Sequence, residues 1–319
     1  MKCSVFEKDI YRNKVVFLEN DFLQIGICPG KGSDIFKYLW KPQSLELLAK
    51  TSDADFKFNK YQFDTLFLET NEAYYLGGWN ELLPSRIRVD YGSEAYSERP
   101  ESTVTSWGYR IAKHEDYGEV LTCFATMPIS GLNVEKSFYL YGSELNIKES
   151  VKNISGKKID FSWTHHPTFG AGLILGDFEI DFPKCKVMDY IGFQGSKTDK
   201  IGEFLFETSS VPHGGKLIDL SRYKPKYNEE LFFTLKNVEY GCVRLKNNSY
   251  GICATLKWDN KLFPHMWYWS ANNDYIKALA LEPSTTYLPD YEYCLDNELL
   301  FSMEVGQEIQ TEISLEING

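Results

Sequence analysis

Short runs of alternating apolar and polar residues, each ended by a turn sequence, make up most of this 319-residue chain and limit the folds it can adopt. The run 308–317 alternates strictly. Alternation with a period of two is typical of β-strands, and short turns between such runs predict hairpins. We predict four hairpins, formed by 14–19 with 22–27, 109–114 with 119–124, 132–140 with 145–151, and 243–245 with 251–256.

Helical periodicity is weak throughout the sequence. The segment 71–83 could hold a helical turn, and 47–58 is ambiguous. No repeat, low-complexity tract or Pro/Ser-rich linker divides the chain, so we expect one domain over residues 1–319. Many strands and few short helices predict an all-β fold, a large antiparallel β-sandwich with wide, curved sheets. The concave face of such a sheet is a natural cleft for a saccharide.

Charge and composition exclude several classes of partner. The net charge of −11 and the lack of a basic run argue against nucleic acid and anionic membranes. No apolar run approaches the ~20 residues of a membrane-spanning helix, and the charged start of the chain does not fit a secretory signal, so we expect a cytoplasmic protein. Seven scattered cysteines without a Cys-x-x-Cys spacing predict reduced thiols and no zinc site.

Aromatic residues are unusually frequent, at 15% of the chain. Aromatic side chains pack well on a pleated sheet, and their flat rings also stack on the C–H faces of a pyranose. Trp267 and Trp269 lie two positions apart and share one face of a strand, either as core or as a sugar-stacking platform. Trp79, Asn80 and Glu81 follow a Gly-Gly pair, in a loop whose amide and carboxylate could bind sugar hydroxyls.

Two adjacent histidines are the first candidate for acid–base chemistry. His165 and His166 follow a strand-like run and precede Pro167, which should end regular pairing. Histidine titrates near neutral pH and can donate or accept a proton. Because neighbouring strand residues point to opposite faces, only one of the two can enter a given cleft. A polar strand cap and a zinc pair are the alternatives, although no further zinc ligands at a telling spacing are visible in the sequence.

Glu282 is the second candidate. It follows the apolar run 276–281 and precedes Pro283. Partial desolvation at such a strand end would raise the pKa of the carboxyl group and make it a better base. The alternative is an ordinary solvated strand end.

These segments, taken in order, resemble the aldose 1-epimerase (galactose mutarotase-like) superfamily. Gly-Gly-Trp-Asn-Glu-Leu-Leu-Pro at 77–84 is similar to the family's Gly-Gly-x-x-Glu-x-x-Pro segment, and Trp-Thr-His-His-Pro-Thr-Phe-Gly at 163–170 to its histidine segment. Met-Trp-Tyr-Trp at 266–269 and Leu-Glu-Pro-Ser-Thr-Thr at 281–286 look like the strand pair that carries the family's glutamate. The resemblance implies a galactose mutarotase-like supersandwich that binds a hexose in its concave face.

The resemblance also implies an activity, the interconversion of α and β anomers of a hexose by ring opening at C1. By position, His166 matches the family's general acid and Glu282 its general base, and no metal or organic cofactor is required. The residues expected to bind the sugar are Trp79, Asn80, Glu81, Arg86, Arg99, His165, Trp267 and Trp269.

The sequence departs from the family pattern at one histidine. Family members usually carry it in a His-Gly-Glu segment before a tryptophan, where this chain has Arg99-Pro100-Glu101 ahead of Trp107 and no histidine before residue 114. Either Arg99 or Arg86 replaces it as a donor to the sugar, or the ligand is a phosphorylated or acidic sugar.

Two other functions stay open, as does the choice between monomer and homodimer. The fold could bind a carbohydrate without turning it over. It could also belong to a polysaccharide lyase or hydrolase. A hydrolase would need two carboxylates flanking the scissile bond, and Glu81 and Glu282 could form that pair.

Overall fold

The strands follow the alternating runs of the sequence. The computed structural model describes residues 2–63, 75–85, 88–89, 95–96, 100–189, 205–287 and 291–319. Its helices in these ranges are α1 (Ala54–Lys60), α2 (Glu101–Val104), α3 (Ala171–Ile174) and α4 (Tyr291–Asp296), with one 3-10 turn at Lys41–Gln43. None of these helices has the length and apolar character that a membrane crossing requires.

The strands up to the middle of the chain are β1 (Ser4–Ile10), β2 (Asn13–Glu19), β3 (Leu23–Cys28), β4 (Asp34–Trp40), β5 (Leu45–Glu46), β6 (Trp79–Ser85), β7 (Arg88–Val89), β8 (Ala95–Tyr96), β9 (Gly108–His114), β10 (Gly118–Thr126), β11 (Leu132–Tyr141), β12 (Glu144–Asn153) and β13 (Ile159–Phe169). The later strands are β14 (Phe178–Asp181), β15 (Lys186–Asp189), β16 (Leu205–Phe206), β17 (Val211–His213), β18 (Lys216–Ile218), β19 (Glu229–Lys236), β20 (Cys242–Asn247), β21 (Ile252–Trp258), β22 (His265–Asn272), β23 (Lys277–Ser284), β24 (Phe301–Met303) and β25 (Glu308–Asn318).

Two large sheets dominate the part of the chain that the structure describes. The larger has 13 strands in the order β1-β2-β3-β4-β6-β13-β23-β22-β19-β15-β16, with β5 added to β4 and β24 to β13. The smaller has eight strands in the order β14-β20-β21-β25-β12-β11-β10-β9. The main pairings in both are antiparallel, so short turns connect neighbouring strands.

A continuous apolar core joins the two sheets. Leu279, Leu281 and Tyr268 come from the large sheet, and Phe138, Ile147 and Leu315 come from the small one. We call the face of the large sheet that points toward this core its inner face, and the opposite one its outer face. The predicted all-β sandwich is confirmed, and so are the four predicted hairpins, β2–β3, β9–β10, β11–β12 and β20–β21.

The two uncertain segments are only partly helical. The ambiguous segment 47–58 contains the start of α1. The helical turn considered for 71–83 is not found at 75–83, because β6 begins at Trp79 and residues 75–78 are not helical; residues 71–74 lie outside the described ranges.

The Gly-Gly pair before β6 allows close packing of three chain segments. Gly77 and Gly78 have φ of +80° and +85°. The Gly78 amide donates to the Ala49 carbonyl at 2.8 Å, and its carbonyl accepts from the Thr168 amide at 3.0 Å. A Cβ atom on Gly78 would lie 2.5 Å from the Ile35 carbonyl oxygen. This position therefore needs glycine for both its dihedral angle and its space.

Replacing Gly78 with Ala should destabilise the fold far more than replacing Gly142, which also has positive φ but has open space around its Cβ position. The dihedral penalty alone is about 1–2 kcal/mol in both variants, and the backbone clash at Gly78 adds roughly 1–3 kcal/mol. Chemical denaturation of the two variants measures the difference. Equal losses of unfolding free energy would contradict the close packing described for Gly78.

Candidate active site

Pairing between β13 and β23 brings the two predicted catalytic side chains together. Thr164 lies opposite Ser284, and Thr168 lies opposite Ala280. Three residues separate the paired positions in each strand, so the middle ones, His166 and Glu282, face each other. Both belong to the outer face, because the alternate residues of these strands are in the core.

His166 and Glu282 form a close, mostly buried pair. The distance from His166 Nε2 to Glu282 Oε1 is 3.5 Å, and the two side chains are 17% and 2% exposed. Burial lowers the pKa of His166 to about 4, and burial raises the pKa of Glu282 well above its usual value. Desolvation disfavours the charged form of each group, so burial favours an uncharged imidazole beside a carboxylic acid.

Two prolines interrupt the ladder at this pair. Pro167 and Pro283 each lack the N–H that a strand would donate, and the register partners between β13 and β23 skip the stretch between Thr164 and Thr168. The expectation that Pro167 ends regular pairing is corrected, because β13 continues to Phe169 and Pro167 pairs with Trp79 of β6.

A chain of hydrogen bonds holds the far side of the imidazole. His166 Nδ1 lies 2.9 Å from Thr168 Oγ1, and the Tyr75 hydroxyl lies 3.0 Å from the same oxygen. Thr168 is fully buried and stands two residues after His166, so the strand pleat places both side chains on one face. These hydrogen bonds fix the rotation of the imidazole ring and leave Nε2 directed at Glu282.

Aromatic rings surround the pair. Tyr75 contacts His166 edge-on at 5.8 Å between ring centres, Trp269 lies 6.1 Å from His166, and the two aromatic rings are 6.2 Å apart. Trp267, directly opposite Glu282 in the register, is buried and donates from its indole nitrogen to the Thr286 carbonyl at 2.9 Å. Both predicted tryptophans thus lie beside the pair on the outer face.

Asn80 lies on the other side of His166. The two are register partners between β6 and β13. The Asn80 amide nitrogen donates to Asp34 Oδ2 at 2.6 Å, and Asp34 forms an ion pair with Lys31. All three of these side chains are buried.

Three other predicted residues face the core and not the cleft. Trp79, Glu81 and His165 occupy the alternate positions of β6 and β13, so their side chains point to the inner face. Trp79 belongs to the main core and contacts His165 edge-on. The expectation that these three bind sugar is corrected by the strand pleat. Arg86 and Arg99 lie outside the described residues.

Against the inner face lies a compact group of charged side chains, in which Glu81 and His165 meet Lys136 and Glu149 of the small sheet. Lys136 forms ion pairs with Glu81 and, at 3.9 Å, with Glu149, and His165 Nε2 lies 3.1 Å from Glu149 Oε2. The Trp163 indole donates to Glu81. Burial, and then the charge of Glu149, raises the pKa of Glu81. Burial alone would lower the pKa of Lys136, but the two carboxylates raise it overall.

The inner group has the composition of a metal site, since ligand atoms of Glu81, Glu149 and His165 lie within 4.8 Å of one another. Lys136 already places an ammonium group against these carboxylates and also stands over the Trp107 ring at 5.0 Å. This cation balances buried negative charge without an added ion.

Four residues of the outer face were not identified from the sequence, namely Lys31, Asp34, Tyr75 and Thr168. The signal for Thr168 was its spacing of two from His166 within one strand. No local signal marks the others, because they come from segments far from His166 and Glu282 in the sequence.

Solved structures of similar fold are found among galactose mutarotase-like proteins. One from Clostridium acetobutylicum has a TM-score of 0.72 at 13% identity, covering 100% of this chain and 99% of that one. One from Lactobacillus casei has a TM-score of 0.62 at 15% identity, covering 95% and 100%. An aldose epimerase homologue from C. elegans has a TM-score of 0.61 at 12% identity, covering 99% of both chains. No protein-family model and no curated protein sequence matches the chain.

The fold predicted from the resemblance is therefore confirmed. At these identities the likeness concerns architecture alone.

Replacing Lys136 with Met should destabilise the protein by about 3–5 kcal/mol, because Glu81 and Glu149 would lose their buried counter-charge. The control is Lys257→Met, which removes a surface ion pair with Glu316 whose lysine is 46% exposed and should cost less than about 1 kcal/mol. Chemical denaturation gives both values. A loss at Lys136 no larger than at Lys257 would contradict a charge-balancing role.

Proposed function

We propose that this protein interconverts the α and β anomers of a hexose, with Glu282 and His166 as the proton-transfer pair. The observation that carries the proposal is the 3.5 Å contact between Glu282 Oε1 and His166 Nε2 on a buried, aromatic-lined part of the outer face. Similar architecture in galactose mutarotase-like proteins supports it.

Ring opening needs one group to accept a proton and another to donate one. Glu282 removes the proton of the C1 hydroxyl, and His166 gives a proton to the ring oxygen as the C1–O5 bond breaks. The product is an open-chain aldehyde, whose rotation about C1–C2 presents its other face. The reverse transfers then close the ring as the other anomer, and each positioned transfer contributes on the order of 10²–10⁴-fold.

The resting protonation of the pair supplies the acidic proton for this cycle. With Glu282 protonated and facing Nε2, the imidazole proton lies on Nδ1 and is donated to Thr168 Oγ1. Transfer of the carboxyl proton to Nε2 gives the carboxylate and the imidazolium that the reaction uses. Bound sugar hydroxyls stabilise these charges, and the bond from Nδ1 to Thr168 is kept throughout.

The surrounding rings suit a sugar. Trp269 lies beside His166 with its indole nitrogen donating to Glu230 at 2.7 Å, which fixes the plane of the ring. A fixed aromatic plane beside the pair can stack on a pyranose and keep water from the transferring protons.

Polymer cleavage by a carboxylate pair is disfavoured by position. Glu81 is on the inner face and Glu282 on the outer face, so the two cannot flank one glycosidic bond. Sugar binding without turnover is the remaining alternative, and measurement of anomerisation separates it from the proposed activity.

His166→Ala and Glu282→Gln should each lower the rate of anomerisation of α-glucose or α-galactose by roughly 10²–10⁴-fold, because each removes one of two coupled proton transfers. Polarimetry measures the rate, and circular dichroism checks that each variant is folded. His114→Ala and Glu135→Gln, on exposed side chains, are the matched controls. Rates near wild type for both site variants would rule out the assignment.

The pH dependence of kcat/KM should report the buried pair. The pair is active while it holds one acidic proton, so activity falls as pH drops through about 4, where His166 takes up a second proton. It falls again as pH rises through the raised pKa of Glu282.

Rates corrected for the uncatalysed reaction across this range give the profile. An acid limb near 6.5, the ordinary pKa of histidine, would contradict burial of His166 in the free protein.

A further inference from the structure

The turn between β3 and β4 delivers a charged pair to the outer face. Lys31 and Asp34 form an ion pair whose side chains are 2% and 5% exposed. Asp34 is opposite Cys28 in the register, on the other side of its strand from the core residue Ile35. The pair therefore lies on the same face as His166 and Glu282.

The backbone of this turn is specialised. Gly32 and Ser33 are consecutive left-handed residues with φ of +64° and +54°, and the Asp34 amide donates to the Lys31 carbonyl at 3.0 Å. This is the arrangement of a tight hairpin turn with two positive φ angles. A left-handed Ser costs on the order of 1–3 kcal/mol and persists only where the surroundings hold it. The turn therefore brings the side chains of Lys31 and Asp34 into contact.

Asp34 and Asn80 leave two buried oxygens without a hydrogen-bond partner among the described residues. The Asp34 carboxylate can only accept, so Asn80 must direct its amide nitrogen toward it. Asn80 Oδ1 and Asp34 Oδ1 are the two unpartnered atoms, and both side chains are at least 95% buried. Buried acceptors of this kind are almost always satisfied, and only a donor satisfies them.

The position of these acceptors relative to the catalytic pair is set by the sheet. Asn80 is next to His166 on one side, and Glu282 is next to it on the other. Two strand spacings separate Asn80 from Glu282, roughly 10 Å. In a pyranose, the anomeric hydroxyl and the C3 and C4 hydroxyls lie at opposite ends of the ring.

We propose that Asp34 and Asn80, with Lys31 as the counter-charge, form a subsite that accepts hydrogen bonds from the C3 and C4 hydroxyls of the sugar. This proposal rests on the proposed function. The substrate class is then a neutral aldose with free hydroxyls at that end. A carboxylate there has no proton to donate at neutral pH, and a phosphate monoester is mostly doubly ionised, so neither satisfies the two acceptors as hydroxyls do.

The first test compares wild-type protein acting on glucose, 3-deoxyglucose, 4-deoxyglucose and 6-deoxyglucose. Removing a hydroxyl leaves one buried acceptor unpaired, so kcat/KM should fall roughly 10- to 100-fold for the 3-deoxy and 4-deoxy sugars. The 6-deoxy sugar controls for loss of a hydroxyl as such and should stay within about threefold of glucose.

The second test assigns the hydroxyls to protein groups. Asn80→Ala should lower kcat/KM for glucose about as much as one deoxy substitution does. For the deoxy sugar that lacks the partner hydroxyl of Asn80, the same variant should leave kcat/KM unchanged, because the hydrogen bond between them is already lost. The double variant Lys31→Met with Asp34→Ala removes both charges together with the Asp34 acceptor, and should do the same for the other deoxy sugar. Asn133→Ala, on an exposed strand position, is the matched control.

The outcomes separate the subsite from the activity. The subsite is overturned if wild-type kcat/KM is equal for all four sugars. It is also overturned if Asn80→Ala lowers kcat/KM for both deoxy sugars as much as for glucose. Neither result contradicts the proposed anomerisation. If wild-type protein turns over none of the sugars, calorimetry measures binding of the same series. Weaker binding of the 3-deoxy and 4-deoxy sugars supports the subsite on a non-catalytic protein, and equal binding or none overturns it.

Discussion

The register between β13 and β23 is the constraint on which the candidate site depends. Equal numbers of residues between the paired positions place His166 opposite Glu282, and a shift of one residue would turn one of them into the core. On the inner face, Phe169 pairs with Leu279 and both are buried. Burial of these apolar residues fixes the register, and the register fixes the distance between the two titrating groups.

The buried titratable groups on the two faces of β6 and β13 differ in how their charges are compensated. On the inner face, Lys136 stands among Glu81, Glu149 and His165, so the charges compensate one another. On the outer face, His166 and Glu282 face each other at 3.5 Å, and burial shifts the pKa of each toward its uncharged form. Opposite charges stabilise the ionised forms of the inner group, so its protonation resists change. A buried pair without such compensation has shifted pKa values, which is typical of groups that exchange protons with a bound ligand. Such a difference suits a structural role inside the sandwich and a chemical role outside it.

Local patterns predicted the fold but only part of the site. Hairpins such as β11–β12 could be predicted because alternation and turn residues are contiguous in the sequence. Residue type pointed to Glu282 and to the pair His165 and His166, and the family resemblance chose His166. The Gly-Gly pair before Trp79 favours a loop, which gives no face for Trp79 and Glu81. The segment is strand β6, so its side chains alternate between the two faces, and Asn80 points to the outer face between two inward-pointing neighbours. Asp34 and Tyr75 reach the site from distant segments, and strand order in a 13-stranded sheet is not encoded locally.

The proposed subsite bears on the choice of sugar through the direction of its hydrogen bonds. An imidazole or a guanidinium beside His166 would donate hydrogen bonds, and a guanidinium would attract phosphate. Beside His166, the described residues Asn80 and Asp34 offer oxygens that accept instead. Reversing the direction of these hydrogen bonds reverses the preference for charge. An acceptor site of this kind would favour the free hydroxyls of a neutral ring over an anionic group, so the proposed subsite concerns the choice of sugar and not the proton transfers at C1.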